Sequence, residues 1–218
     1  KRWPYDAGIR IPLIVRWPGE IKPSTQTDQL VSLIDLGPTV LSLAGVEVPA
    51  HMQGQPFVGP LKAERDYVYA LRDRFDESYD MMRAVRDDRY KYIRNYHPEN
   101  PYLLWIPYRN RHPILEEMWR LHLADALEGP QKIMFQTRRP VDELYDTAVD
   151  PFEITNLAQD PAQAQAELGR LVGGVRSLRD DAVDDPRAPQ VGGPHALRRG
   201  HLAGVRGVAV HDRRGALR

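Results

Sequence analysis

The chain has 218 residues, of which 42% are hydrophobic and 28% are charged, so it is long enough for one ordinary domain or slightly more, and disorder throughout is excluded. Basic and acidic residues are equal at 30 each, and this balance argues against a general nucleic-acid binder, which normally carries a basic excess. The sequence has no Cys, which excludes disulfides, Cys-ligated metals and a Cys nucleophile within it, and no apolar run approaches the ~18 residues of a membrane-spanning helix.

The first predicted element is a strand over residues 11–17, an apolar run rich in Ile and Val that ends at a Pro-Gly turn signal. The next is a short helix over residues 35–44, where apolar side chains recur at helical spacing on one face. Asp35 is predicted to cap its N-terminus, because a carboxylate there accepts hydrogen bonds from the free amides of the first turn. Gly45 is predicted to end the helix.

Residues 49–65 contain three Pro and two Gly and are predicted to be a connecting loop, so we place a domain boundary near residue 60. Beyond it, alternation of apolar and polar residues predicts strands, and two longer segments predict amphipathic helices. The strands cover residues 67–71, 82–86, 90–95 and 143–147, and the helices cover residues 114–127 and 162–172. Together they predict a small α+β unit in which helices pack on an antiparallel sheet.

Residues 173–218 differ in composition from the rest of the chain. They carry nine Arg and five Asp but no Lys, Phe, Trp, Tyr or Ile, and few of them are able to contribute to a core. Two interpretations remain open, a disordered basic extension and an out-of-frame translation of GC-rich DNA. Neither predicts a functional site in this segment.

The catalytic inventory of the residues taken alone is small. The sequence contains no Gly-rich phosphate loop, no G-x-S-x-G nucleophile elbow and no H-E-x-x-H metal motif, and its seven His are scattered. No pair of carboxylates is marked out by its context. These residues alone therefore do not assign a reaction to the chain.

Four motifs in order resemble those of the sulfatase family. In residues 1–19, Lys1 is followed by Tyr-Asp, Arg-x-Pro and an apolar run that ends in Trp-Pro-Gly, and residues 32–45 read S-x-x-D-L-x-P-T before an apolar stretch and Ala-Gly. Residues 83–93 contain R-x-V-R and Y-K-Y-I, and residues 143–158 contain E-L-Y-D and D-P-x-E-x-x-N-L-A. The resemblance is closest to sulfatases of the arylsulfatase and N-sulfoglucosamine sulfohydrolase type, in the alkaline-phosphatase superfamily.

The resemblance implies an α/β fold class and a division of the chain. Residues 1–60 are expected to be the end of a large sulfatase-like α/β domain, and residues 61–172 a small C-terminal α+β subdomain with an antiparallel sheet. Residues 173–218 are the low-complexity tail, which the resemblance does not reach. Because the sequence opens at Lys1 without Met and matches only the later family motifs, we interpret it as a C-terminal fragment.

The resemblance also implies hydrolysis of sulfate esters or sulfamates. Family members use a formylglycine, made from Cys or Ser in a C-x-P-x-R type motif, and a calcium ion held by Asp and Asn, and both features normally lie before the position of Lys1. This chain has neither motif, so it is expected to lack the nucleophile and the metal ligands and to be inactive alone. Lys1 is the one catalytic residue carried over, since in the family this lysine contacts the sulfate oxygens, where a cation offsets transition-state charge.

The expected substrate is a sulfated carbohydrate or an aryl sulfate. Residues 72–79 are dense in charge and are predicted to form a loop at the rim of the site. Arg74, Asp76 and Glu77 are the candidate substrate-binding residues, because Arg fits a sulfate or carboxylate through paired contacts and carboxylates accept from sugar hydroxyls. The candidates for stacking on a sugar ring lie in the next loop: His97, Tyr102 and Trp105. The plainer alternatives are a solvated charged loop and packing within the aromatic loop.

Two alternative functions remain open: hydrolysis of phosphonate or phosphate esters, which share the geometry of sulfuryl transfer, and a non-catalytic domain that binds glycans or a partner. Asp150 and Asn156 are expected to serve in turns and helix caps. No nucleic-acid partner is expected, and the sequence indicates no oligomeric state. A periplasmic or extracellular location is expected rather than a cytoplasmic one, because many sulfatases of this type are exported.

Overall fold

A computed structural model describes residues 3–160, Gly169 and Leu171 of the chain. In this part of the chain the helices and strands are α1 (Asp6–Ile9), α2 (Leu36–Leu43), β1 (Val68–Phe75), β2 (Ser78–Arg86), β3 (Tyr90–Asn95), α3 (Pro107–Asn110), α4 (Pro113–Leu123) and β4 (Asp142–Asp146). Single 3-10 segments cover Leu33–Asp35, Gly129–Phe135 and Leu157–Gln159. None of the described helices is long and apolar enough to cross a membrane.

The four strands form one antiparallel sheet in the order β1-β2-β3-β4. Tight turns join β1 to β2 and β2 to β3, and the long connection from β3 to β4 contains α3 and α4. The predicted α+β unit with an antiparallel sheet is confirmed. All four predicted strands are present, with β4 at an edge of the sheet and both β1 and β2 longer than predicted.

Apolar side chains pack on both faces of the sheet, because neighbouring residues of a strand point to opposite faces. One face carries a buried cluster, against which partly buried side chains near the start of the chain pack: Met82, Ala84, Ile93 and Tyr145 with Trp3, Tyr5 and Ala70. The other face carries a second cluster: Val85, Leu144 and Leu171, with Tyr67, Tyr90, Tyr92, Leu157 and Ala158 against it. The core of the described chain is therefore the sheet itself, covered on both faces.

The strand predicted over residues 11–17 is wrong. These residues form neither helix nor strand, and their aliphatic side chains are exposed, with Ile14 at 90%, while Trp17 is half-buried. An apolar run meets the local requirement of a buried strand, but a strand also needs a neighbour with which to share ladder hydrogen bonds. No strand among the described residues lies beside this segment.

Asp35 does not cap α2, contrary to prediction. Its backbone is already helical, and its fully buried carboxylate accepts from the amides of Ser32 and Gln55, each at 2.8 Å, and pairs with Arg65. The carboxylate therefore faces the loop predicted over residues 49–65. It joins the start of the helix to that loop.

Helices α2 and α4 end in the same way. After α2, Gly45 adopts φ +68°, and its amide donates to Ser42 O at 3.1 Å, which confirms the predicted stop. After α4, Asp125 takes the same left-handed conformation with φ +49°. This is why α4 ends at Leu123 and not at residue 127 as predicted.

The predictions for the last part of the chain lie largely outside the described residues. The helix predicted over residues 162–172 is described only at Gly169 and Leu171, and the tail over residues 173–218 is not described. The division of the chain at residues 60 and 172 stays a prediction.

Candidate functional site

The segment that follows Lys1 is attached to the sheet through a buried carboxylate. Glu143 of β4 is fully buried, and its Oε2 accepts hydrogen bonds from the hydroxyls of Tyr5 and Tyr145 at 2.7 and 2.6 Å. Its Oε1 accepts from Asn95 Nδ2 at 2.5 Å. Burial, together with the charge of Glu143, raises the pKa of Tyr5 and of Tyr145 well above the usual range, so both hydroxyls remain donors.

A buried ionic cluster surrounds Asp6, the residue that follows Tyr5. Lys91 of β3 is fully buried, and its ammonium pairs with Asp6 and with Glu153 Oε1, the latter at 2.5 Å. Arg86 also pairs with Asp6, and the Asp6 amide donates to Glu153 Oε2 at 2.7 Å. Two cations thus face two carboxylates, and mutual pairing of this kind is what offsets the desolvation of buried charges.

The two carboxylates of this ionic cluster differ in pKa. Burial acts to raise the pKa of Asp6, but the hydrogen bonds and charges of Lys91 and Arg86 outweigh burial, so the pKa is lowered. For Glu153, burial dominates and raises the pKa, and Lys91 offsets it only in part. Asp6 is therefore the carboxylate that keeps its charge in more acidic solution.

These two clusters join motifs that are far apart in the sequence. Tyr5 and Asp6 come from the first motif, Lys91 from the third, and Glu143 and Glu153 from the fourth. No local pattern shows that they meet, since Asp6 and Glu153 are 147 residues apart. Their contacts hold the motifs together and fix Tyr5 and Asp6, which follow the catalytic candidate Lys1 in the sequence.

Lys1 itself lies outside the described residues, so its catalytic role stays a prediction. Trp3, two residues later, is described and contacts two arginines: the guanidinium carbons of Arg72 and Arg109 lie 5.5 and 5.7 Å from its ring centre, at cation–π distance. Arg72 is buried and pairs with Asp80 at 3.4 Å. Trp3 therefore connects the Lys1 segment both to β1 and to α3.

The prediction that residues 72–79 form a loop is wrong. β1 continues to Phe75, a two-residue turn follows, and β2 begins at Ser78. Charged residues are compatible with a strand that has one face in solvent, and pairing with β2 decides the conformation here. Asp76, in the turn, takes a left-handed φ of +49°, which Asp tolerates better than most residues.

The candidate substrate-binding residues lie together at the tip of this hairpin. Arg74, Asp76 and Glu77 are all exposed, and Arg74 Nε donates to Asp76 O at 2.7 Å. The bond folds the arginine side chain back over the turn. The role of the three residues in substrate binding stays a prediction.

The aromatic candidates of the next loop differ in burial. Tyr102 is 5% exposed, with Arg139 5.8 Å from its ring centre, so its predicted stacking on a sugar is wrong, because the ring is part of the core. His97 is half-buried and meets the Tyr79 ring edge-on at 5.4 Å. Trp105 is 66% exposed and presents the most open ring of the three.

Two residues of the fourth motif have the predicted turn and capping roles. Asn156 Oδ1 accepts from the Ala158 amide at 2.9 Å at the start of a 3-10 turn, and also from the Leu144 amide at 2.9 Å. Asp150 Oδ2 accepts from two amides further along its turn, those of Ile154 and Thr155. These residues shape the turn after β4, and Asn156 joins that turn to β4 itself.

The described residues contain no group of three or more His, Asp or Glu side chains that is able to hold a metal ion. The carboxylates of Asp6, Glu143 and Glu153 are already satisfied by cations or hydrogen-bond donors of the protein. This part of the chain therefore does not fit a calcium site.

Residues 1–114 match the family described as N-sulphoglucosamine sulphohydrolase, C-terminal. The chain is 46% identical over 189 residues to an ulvan-active sulfatase of Formosa agariphila, covering 84% of this chain and 31% of the relative. It is 29% identical over 163 residues to the N-acetylglucosamine-6-sulfatase of Homo sapiens, covering 73% and 28%. A solved 2-O GAG sulfatase is 24% identical, with a TM-score of 0.44, over 82% of this chain and 32% of its own. The chain thus spans about a third of the length of these proteins.

Proposed function

Because the chain belongs to the family of N-sulphoglucosamine sulphohydrolase C-terminal regions, we propose that it is the C-terminal part of a sulfatase that hydrolyses sulfate esters or sulfamates of a carbohydrate. The predicted resemblance to the sulfatase family is confirmed by this membership. The substrate proposal is supported by the names of two relatives, one an ulvan-active sulfatase and the other an N-acetylglucosamine-6-sulfatase.

The observation that carries the proposal is the attachment of the Lys1 segment to the sheet. Tyr5 is held by Glu143, and Asp6 is held by Lys91 and the Glu153 carboxylate, so these two residues of the first motif are fixed. In the proposed reaction the Lys1 ammonium lies beside the sulfate oxygens and offsets the negative charge of the transition state. The sheet then serves as the support of this lysine.

The nucleophile and the metal of the proposed reaction belong to the whole protein. We propose a formylglycine and a calcium ion, as the family implies, both supplied by residues outside this chain, which has no Cys. Arg74, Asp76 and Glu77 are proposed to contact the substrate, with Arg74 toward a sulfate or carboxylate. A periplasmic or extracellular location is proposed from the same family resemblance.

The test is sulfate release by the full-length protein that contains this chain. Ulvan oligosaccharide, N-acetylglucosamine 6-sulfate and 4-nitrophenyl sulfate are compared with 4-nitrophenyl phosphate. We expect sulfate release from at least one sulfate ester and a lower kcat/KM for the phosphate ester, and no turnover by the isolated chain. Hydrolysis of the phosphate ester alone supports the phosphoesterase alternative, and no hydrolysis at all supports a non-catalytic domain.

The role of Lys1 has a separate test in the same protein. Lys1→Ala is expected to lower kcat by about 100-fold or more, because loss of one charge-stabilising group at the transition state typically has this effect. Lys1→Arg keeps the charge and is expected to retain more activity. The control is Lys62→Ala, which removes an exposed ion pair with Glu64 at 3.8 Å. A Lys1→Ala variant as active as this control contradicts the catalytic role.

A further inference from the structure

We propose that Trp105 is a sugar-stacking residue that orients the carbohydrate beside the tip of the β1–β2 hairpin. The inference rests on the proposed function and adds a specificity-determining residue to it. Its starting point is the exposure of a large indole, 66%, in a loop where the neighbouring Tyr102 is buried. Exposed aromatic faces with a fixed polar edge are typical of ligand sites, where the ring meets an apolar surface of the ligand.

The Trp105 ring is held at its polar edge. Its Nε1 donates to Asn110 Oδ1 at 3.2 Å, with the amide oriented so that its Nδ2 also donates to Ile106 O at 3.1 Å. The Trp105 carbonyl accepts from Ser78 Oγ at 3.0 Å. With both anchors in place Trp105 is still 66% exposed, and a ring fixed in advance loses little conformational entropy on binding.

Hydrogen bonds connect Trp105 to the hairpin and to α3. Ser78, which bonds the Trp105 carbonyl, is the first residue after the hairpin turn. On the other side, the bond to Asn110 joins Trp105 to α3, and Arg109 of the same helix lies 5.7 Å from the ring centre of Trp3. Helix α3 therefore links Trp105 indirectly to Trp3, the described residue nearest to Lys1 in the sequence.

The neighbouring groups fit an anionic sugar. The C–H face of a pyranose ring is apolar and matches the indole face, while its hydroxyls need hydrogen-bond partners. Arg74 offers paired donors for a sulfate or carboxylate, and the carboxylates of Asp76 and Glu77 accept from hydroxyls. All three are exposed at the hairpin tip that Ser78 joins to Trp105.

The experiment uses the full-length protein and ulvan oligosaccharide as the probe. Trp105→Ala and Trp105→Leu are expected to raise KM, and the Kd from calorimetric titration, about 10-fold or more, with a much smaller change in kcat. Trp105→Phe keeps an aromatic face and is expected to restore most of the affinity. The matched control is Tyr96→Ala, which removes another exposed ring, one that contacts Arg94. Thermal unfolding checks that each variant is folded.

The outcomes separate the two proposals. If the wild-type protein releases sulfate and the Trp105 variants keep its KM and Kd, the assignment of Trp105 is overturned and the sulfatase proposal stands. If the wild-type protein releases no sulfate, the titration still decides on Trp105, since binding that is lost in Trp105→Leu and kept in Trp105→Phe supports the stacking role. No binding by the wild-type protein overturns it.

Discussion

Lys91 is a fully buried cation that serves two carboxylates, those of Asp6 and Glu153. Lys91→Met keeps the length of the side chain and removes its charge, so the two carboxylates remain buried with Arg86 as their remaining cation. We expect the free energy of unfolding of the full-length protein to fall by about 3–5 kcal/mol, the usual result of removing one partner from a buried ion pair. Chemical denaturation measures this change.

The control for Lys91→Met is an ion pair on the surface. Arg120→Met removes the exposed pair between Arg120 and Glu117, whose N–O distance is 2.6 Å. Exposed pairs of this kind contribute little, so no loss of stability beyond experimental error is expected. A Lys91→Met variant that is as stable as Arg120→Met contradicts the role of Lys91 as the support of the Lys1 segment.

The lowered pKa of Asp6 fixes the sign of a pH dependence. In the folded protein Asp6 stays charged at pH values where the unfolded chain has bound a proton, so its stabilisation is full above the unfolded pKa and is lost as the pH falls through the folded pKa. The stability advantage of wild type over Asp6→Asn is therefore expected to shrink as the pH falls below about 4, the ordinary pKa of Asp, and through the lowered pKa of the folded state. Urea denaturation at several pH values measures both proteins.

The pH dependence expected for Glu153 has the opposite sign to that for Asp6, so it serves as a check on the Asp6 experiment. Its pKa is raised, so on acidification the folded protein binds this proton before the unfolded chain does. The stability of wild type relative to Glu153→Gln is expected to increase as the pH falls through the folded pKa. If both differences change in the same direction, the assignment of Asp6 as the charged member of the cluster is wrong.

At the scale of elements, the Asp35 side chain joins the turn before α2 to the following loop, to which Thr39 of α2 also bonds through the Phe57 amide at 3.2 Å. The Asp35 carboxylate accepts from the amides of Ser32 and Gln55 and pairs with Arg65. Asp35→Ala is expected to lower the free energy of unfolding by about 3 kcal/mol, because it leaves a largely buried guanidinium without its charge partner and two amides without acceptors. Asp35→Asn keeps an acceptor for the amides, so it is expected to lose less stability than Asp35→Ala. Thermal and urea unfolding measure both variants. If the two variants lose the same stability, the proposed role of the Asp35 carboxylate is wrong.

The elements that were predicted correctly are specified by residues close together in the sequence. Alternating residues over 82–86 and 90–95 with a polar turn between them specify a hairpin, and Gly45 supplies the conformation that ends α2. Residues 11–17 have an equally clear apolar pattern, but a strand depends on a partner that no local pattern contains. The loop prediction for residues 72–79 is wrong for the opposite reason. Their charge density is typical of loops, but pairing between β1 and β2 makes most of them strand.

The candidate site shows the same limit. The motifs identified Asp6, Lys91 and Glu153 one by one, yet their pairing spans more than 80 residues of sequence and depends on the folded sheet. Tyr102 and Trp105 are aromatic residues of one loop, and composition alone does not say which ring enters the core. Burial separates them, because Tyr102 packs under Arg139 while the indole of Trp105 is held outside by its anchors.

At the scale of the whole molecule, the first third of the chain exposes many large apolar side chains, and clusters of such side chains mark interaction surfaces. The exposed side chains are Ile11, Leu13, Ile14, Val15, Leu33, Ile34 and Val40. Because the chain spans about a third of the length of its relatives, we expect these side chains to be buried against the remainder of the full-length protein. The isolated chain is accordingly expected to aggregate in size-exclusion chromatography with light scattering.

A pair of substitutions tests this expectation in opposite directions. Ile14→Asp and Val40→Asp place charges on the exposed apolar segments, so they are expected to reduce aggregation of the isolated chain and to destabilise the full-length protein by burying an unpaired carboxylate. Leu123→Asp, at a side chain of α4 that is 82% exposed, is the control and is expected to leave the full-length protein unchanged. The expectation is wrong if the full-length Ile14→Asp and Val40→Asp variants are as stable as full-length Leu123→Asp. In that case these apolar side chains are exposed to solvent in the full-length protein as well.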